Sequence, residues 1–185
     1  MLEDLHEKLN WERIGNKELV FVDVETTGLD KKTAKIIEIG ALRITAQSPQ
    51  PEMFQRFLSI DESLDEEIIN LTGITDKMLK DSGVPFYRAF GDFKTFLGTS
   101  DASAYNAKFD KVMINTLTSK YNIPFNTYIS DSMLLCKKAF KLDSMKLQAV
   151  ADHLKIDTSG AHRADKDCLI LAQCHMSALI ELEQA

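Results

Sequence analysis

The run Glu18-Leu-Val-Phe-Val-Asp-Val24 is almost continuously apolar. A stretch of that kind predicts a central strand covered on both faces. Residues 35–45, Lys-Ile-Ile-Glu-Ile-Gly-Ala-Leu-Arg-Ile-Thr, predict a second strand. A turn-rich stretch, Gln47-Ser-Pro-Gln-Pro51, follows, and Met53–Ile60 reads as a third strand. Three strands in succession with short connections predict an antiparallel meander. The period of the pattern then lengthens. Helices are predicted over 65–71 and 86–97. A short strand at Ala102–Tyr105 leads into a helix over 109–121, and another near Tyr128–Ser130 leads into a helix over 132–139. Two more helices are predicted over 144–154 and 164–183. Strands first, then alternating strand and helix, predict an α/β fold: a mixed five-stranded sheet with helices on its faces. Ahead of it, Leu2, Leu5 and Leu9 are spaced as on one helix face. Residues 1–18 are therefore expected to form an N-terminal appendage packed on the domain, with a partner-docking segment as the alternative. The domain itself is expected over 19–185.

Composition narrows the class. A chain of 185 residues, 44% hydrophobic and 27% charged, suits one globular domain with a sizeable core. No run of about 18 apolar residues exists, so no membrane partner is expected. The first residues are acidic and polar where a signal peptide would be basic and then apolar, so a cytoplasmic location is expected. Cys136, Cys168 and Cys174 are odd in number and form no CxxC pair. They are expected to be reduced, mostly buried thiols. The formal net charge of −6 argues against a grip on nucleic acid through a broad basic surface. Phosphate chemistry remains open, because bound divalent cations can supply the missing positive charge.

The chemistry-bearing residues are acidic. Asp23 and Glu25 lie two apart on the first strand, so both carboxylates project to one side. Burying two like charges is costly unless something compensates. A divalent cation compensates well, and carboxylate oxygens suit Mg²⁺ or Mn²⁺. Alone, the pair could equally be a strand end facing solvent. Thr26-Thr27-Gly28-Leu29 follows at once, with a glycine that permits a tight turn or close backbone approach. Tyr105-Asn106-Ala107-Lys108-Phe109-Asp110 joins a strand to a helix. Asp110 falls in that helix's first turn, where a carboxylate is favoured in any case, and Asn106 alone would be an ordinary capping residue. The last constellation is His162-Arg163-Ala164-Asp165-Lys166-Asp167. On one helix, His162 and Asp167 would lie about 140° apart. They converge only if His162 sits on a loop before the helix, which Gly160 permits. His6, His153 and His175 lack comparable context and read as structural.

Taken together, Phe-Val-Asp-Val-Glu-Thr-Thr-Gly-Leu (21–29), Tyr-Asn-Ala-Lys-Phe-Asp (105–110) and His-Arg-Ala-Asp-Lys-Asp (162–167) resemble, in that order, the three exonuclease motifs of the DnaQ-like superfamily. The likeness is to the proofreading epsilon subunit of DNA polymerase III and the exonuclease domain of Gram-positive replicative polymerases, and Leu71-Thr-Gly-Ile-Thr75 adds to it. Histidine followed five residues later by aspartate is the pattern of the histidine (DEDDh) subclass. The resemblance implies a ribonuclease H-like three-layer α/β/α fold and a 3′→5′ exonuclease using two divalent ions, Mg²⁺ or Mn²⁺. It implies that Asp23, Glu25, Asp110 and Asp167 hold the metals, that Asp23 bridges them, and that His162 is the general base. It further implies that Thr26, Thr27, Gly28, Leu29, Asn106 and Phe109 border the 3′-terminal nucleotide, with Leu71 and Thr72 against the base. Tyr105 stands where relatives more often carry histidine and is expected to neighbour the site.

The expected partner is nucleic acid with a free 3′ end, single-stranded DNA first, with release of nucleoside 5′-monophosphates. RNA 3′-end trimming in the manner of RNase T is the alternative. A polymerase partner is left open, because no C-terminal tether like that of the epsilon subunit is evident. Two further readings compete. Asp-x-Glu-Thr vaguely resembles the nucleophile motif of haloacid-dehalogenase phosphatases, but that leaves 106–110 and 162–167 without a role. A non-catalytic nucleic-acid-binding module on the same fold is the other.

Overall fold

The computed structural model describes residues 1–15 and 18–184. Residues 16 and 17, within the expected N-terminal appendage, and residue 185 lie outside the described residues. Five strands, β1 (Glu18–Thr26), β2 (Ile36–Thr45), β3 (Ser48–Phe57), β4 (Ala102–Ala104) and β5 (Ile129–Asp131), form one sheet in the order β3-β2-β1-β4-β5. β2 pairs antiparallel with both β1 and β3, and β4 and β5 run parallel to β1. The sheet is therefore mixed, as expected.

The third strand begins earlier than its sequence pattern implies. Pro49 and Pro51 lie inside β3, and the turn is confined to Ala46 and Gln47. Proline cannot donate to a sheet ladder, so it is tolerated on an edge strand, and β3 is an edge.

The helices are α1 (Leu2–Lys8), α2 (Trp11–Ile14), α3 (Glu66–Thr72), α4 (Asp76–Ser82), α5 (Phe86–Leu97), α6 (Lys108–Lys120), α7 (Ser132–Ala139), α8 (Leu147–His153) and α9 (Ala164–Gln184). Strand parity assigns them to layers. Val20, Val22 and Val24 of β1 face α5 and α6, packing with Phe90, Phe93, Met113 and Ile114. Leu19 and Phe21 face the other way, against Cys168, Leu171 and Met176 of α9 and Leu5 of α1. This makes helix, sheet and helix, a three-layer α/β/α sandwich. Leu5 and Leu9 are both buried in that second cluster, and His6 Nε2 lies 2.9 Å from the Thr45 carbonyl oxygen. The helix α4 has no counterpart in the sequence reading. Thr75 caps it, its hydroxyl accepting from the Met78 N–H at 3.2 Å, and Leu79 anchors it beside Ile37, Leu64 and Ile74. All three cysteines are buried and free. No helix among the described residues is long and apolar enough to cross a membrane.

Candidate active site

Parity also decides where the carboxylates go. Asp23 and Glu25 continue the Leu19–Phe21 face, toward α9. Asp167 sits in the first turn of α9 and meets them there. One carboxylate oxygen from each of Asp23, Glu25 and Asp167 lies within 4.8 Å of the other two. Oxygens around a single divalent cation, bonded at about 2.0–2.6 Å, span at most about 4–5 Å. The donor set and its spacing therefore fit such an ion.

Asp110, in the first turn of α6, is buried and approaches from the opposite layer. It falls outside the tight trio, yet its charge bears on Asp23.

The electrostatics mark a site short of positive charge. Burial pushes the Asp23 carboxyl well above its usual range, and Asp110, Glu25 and Asp167 push it further. Burial raises Glu25 to about 8, with Asp167 and Glu38 adding and Arg163 opposing. Burial raises Asp110 to about 7 against the stabilising backbone N–H groups of Asp110 and Val24. Burial raises Asp167 to about 6, with His162 opposing. Carboxylates perturbed in one direction by desolvation and by one another are the pattern of a cation site.

His162 lies on the loop before α9, exposed, at φ +66°, with Gly160 just upstream at φ +82°. Its backbone N–H donates to Asp167 Oδ2 at 3.1 Å, which ties the loop to the carboxylate cluster. Asn106 is also exposed and also at positive φ, +55°, held by its N–H donating to Asp131 Oδ1 at 3.1 Å. Non-glycine residues at positive φ are uncommon and concentrate at functional sites.

The remaining predicted residues divide. Thr27, Gly28 and Leu29 line a cleft of about 460 Å³, shared with Thr33, Glu62 and Asp65. Leu29 and Leu71 are exposed apolar side chains, 85% and 49% accessible. Phe109 is half-buried, with Lys31 Nζ 5.7 Å from its ring centre. The other two are engaged internally. The Thr26 hydroxyl donates to the Gly28 carbonyl at 2.7 Å. Thr72 is buried; its hydroxyl donates to Ile68 O at 2.8 Å and accepts from the Ile74 N–H. Thr72 thus closes α3 and does not present a free side chain. Tyr105 likewise turns away, donating to Met145 O at 2.7 Å. His175 is buried with Nδ1 2.8 Å from the Ser132 hydroxyl, and burial lowers it to about 4.

Two residues escaped the sequence reading. Glu38 is fully buried and pairs across the sheet with Glu25. Asp131 caps α7 and holds Asn106. Glu38 carried a visible signal, a charge within Ile-Ile-Glu-Ile, the same anomaly that singled out Asp23.

A model of the exonuclease family that includes RNase T matches residues 20–174. The chain belongs to this family. It is 29% identical over 166 residues to the DNA polymerase III epsilon subunit of Rickettsia typhi, covering 85% of this chain and 72% of that protein. It is 34% identical over 155 residues to the PolC-type DNA polymerase III of Halalkalibacterium halodurans, covering 82% of this chain but only 11% of that polymerase. The nuclease domain of 3′hExo, a DEDDh family member solved bound to rAMP, superposes with a TM-score of 0.76 at 16% identity, covering 87% of this chain and 90% of that one. The expected resemblance to an exonuclease family and the expected α/β/α fold are borne out.

Proposed function

We propose that this domain removes nucleotides one at a time from the 3′ end of single-stranded DNA, releasing nucleoside 5′-monophosphates. The observation that carries this reading is the convergence of Asp23, Glu25 and Asp167 within 4.8 Å, with the His162 loop pinned to Asp167. Asp23, Glu25, Asp110 and Asp167 would hold two divalent ions, Mg²⁺ or Mn²⁺. Such ions, when bound, lower the pKa of water and stabilise charge on a departing oxygen. The protein's own part is to hold four carboxylates against their repulsion and to aim His162. The exposed His162 imidazole takes the proton from the attacking water, as a general base. Thr27, Gly28 and Leu29 line the cleft for the terminal nucleotide, and Phe109 and Leu71 offer apolar surface to bases. Asn106, exposed just ahead of α6, is assigned to the same terminal nucleotide. Thr26 and Thr72 act through the backbone they brace. Stacking on apolar and aromatic side chains is tolerant of sequence, which suits stepwise degradation.

DNA is preferred because the relatives at about 30% identity are DNA polymerase III components. The test is a gel time course with 5′-labelled DNA and RNA of one sequence, in Mg²⁺ or Mn²⁺, beside Asp23→Ala. A ladder shortening by single nucleotides, faster on DNA and absent in the variant and in EDTA, is expected. Faster trimming of the RNA would reassign the substrate. Metal binding by folded protein without degradation of either strand would leave a binding module in place of an enzyme.

A further inference from the structure

We propose that Glu38 is a positioning residue for His162, acting through Arg163 and Ala164 to hold the loop in its catalytic placement. The inference rests on the reading of His162 as the general base.

Glu38 is fully buried, on a strand whose flanking residues are apolar. A buried carboxylate on a sheet is unfavourable unless every acceptor site is used. Here all but one of the hydrogen bonds to the acceptors come from one short segment. Oε2 accepts the Ala164 N–H at 2.8 Å, and Oε1 accepts Arg163 Nη2 at 2.9 Å. Arg163 Nε lies 3.3 Å from both oxygens. Gln55 Nε2, from the edge strand, donates to Oε1 at 2.7 Å. Glu38 therefore grips the two residues that immediately follow His162, including the first residue of α9. His162 itself is exposed, and its backbone sits at φ +66°. Its own N–H is fixed from the other side by Asp167. The histidine is thus suspended between two carboxylates, one of them outside the trio that fits a cation.

Gly40 completes the seat. It lies two residues along the same face of β2, opposite Asp23, and a Cβ there would run into the Ala164 backbone. The start of α9 can rest on the sheet only because residue 40 has no side chain. Glu38 then fixes its rotation by a charged fork, for which arginine geometry is suited.

The test is a double-mutant cycle with Glu38→Gln and His162→Ala, each variant first checked for folding by thermal melting and for Mn²⁺ binding by calorimetry. Glu38→Gln keeps the volume and one acceptor while removing the charge that holds Arg163. With His162 present, it should lower kcat about 10–100-fold, the scale of losses when a supporting partner is removed, with KM and Mn²⁺ affinity little changed. In the His162→Ala background the same change should have almost no further effect, since coupled residues are non-additive. Hydrogen exchange at the His162 and Ala164 amides should accelerate in Glu38→Gln whatever the activity. Equal losses in both backgrounds, a loss confined to KM, or unchanged exchange would each overturn the proposal. A His162→Ala variant with wild-type turnover would instead sink the general-base reading, and exchange would still report whether Glu38 orders the loop.

Discussion

The His162 backbone N–H donates to Asp167 Oδ2 at 3.1 Å, so one carboxylate both belongs to the acidic trio and anchors the loop of the candidate base. Two functions on one side chain give an ordering of defects. His162→Ala should lower turnover by about 10²–10⁴, the usual range for a general base, with Mn²⁺ binding retained. Asp167→Ala should lower turnover further and weaken Mn²⁺ binding as well. Calorimetric titration of both variants beside single-turnover cleavage checks this. A metal-binding Asp167→Ala variant with activity equal to His162→Ala would separate the two roles.

The raised carboxyls make stability depend on pH in a direction opposite to that of salt-bridged acids. Each group has a folded pKa above its unfolded value, so its contribution is fully present at low pH and is lost as pH rises through the folded value. The window follows from Asp167 at about 6, Asp110 at about 7 and Glu25 at about 8. Without metal, the melting temperature should therefore fall between about pH 5 and pH 8.5. Mn²⁺ should reverse the trend, since it binds the ionised form and stabilises the fold by mass action. Scanning calorimetry across that range, with EDTA and with Mn²⁺, reads both arms. A metal-free protein that gains stability toward pH 8 would contradict the assignment of the buried acids.

Gly40→Ala should be damaging despite adding a single methyl group. The added Cβ would meet the carbonyl group and Cβ of Ala164, which is itself fully buried. Overpacking of this kind costs about 1–3 kcal/mol, or several degrees in melting temperature for a domain of this size. Activity should fall by more than the stability loss explains, because the displaced helix carries Asp167 and begins two residues after His162. Turnover measured well below the melting temperature separates the two effects. Gly91→Ala, at a helical position with open space around it, is the control and should be neutral or stabilising.

Much of this was legible in the sequence because strand and helix periods state which side chains share a face. Asp23 and Glu25 had to point together, and that inference needed no partner strand. The expectation that His162 precedes its helix was also local, since convergence with Asp167 at five-residue spacing needed a loop and Gly160 permitted one. What stayed hidden depends on register. Glu38 faces Glu25 only because β2 pairs with β1 in one alignment, which slips between Glu25 and Thr26. The position of β3 was misjudged because two prolines signal a turn unless the strand is known to be an edge. Thr72 matched a motif, but hydrogen bonds to its own helix and to Ile74 decide where its hydroxyl points.

The N-terminal helix offers the last prediction. Leu5 and Leu9 are 9% and 5% exposed, and they pack with Phe21, Leu42, Leu171 and Met176 on the α9 side of the sheet. That is the same face that carries Asp23 one strand repeat further on. Truncating a buried leucine to alanine costs about 2–5 kcal/mol, the amount depending on how far the site relaxes. Leu9→Ala should therefore lower the melting temperature clearly. The cavity lies under the β1–α9 contact, at the end away from the carboxylates, so Mn²⁺ affinity and kcat measured in the cold should be nearly unchanged. If α1 served as a docking segment for another protein, it would have to leave this cluster, and Leu9→Ala would then have little effect on the free domain. Denaturant melts of Leu9→Ala beside the exposed-site control Glu7→Ala decide between a structural helix and a detachable one.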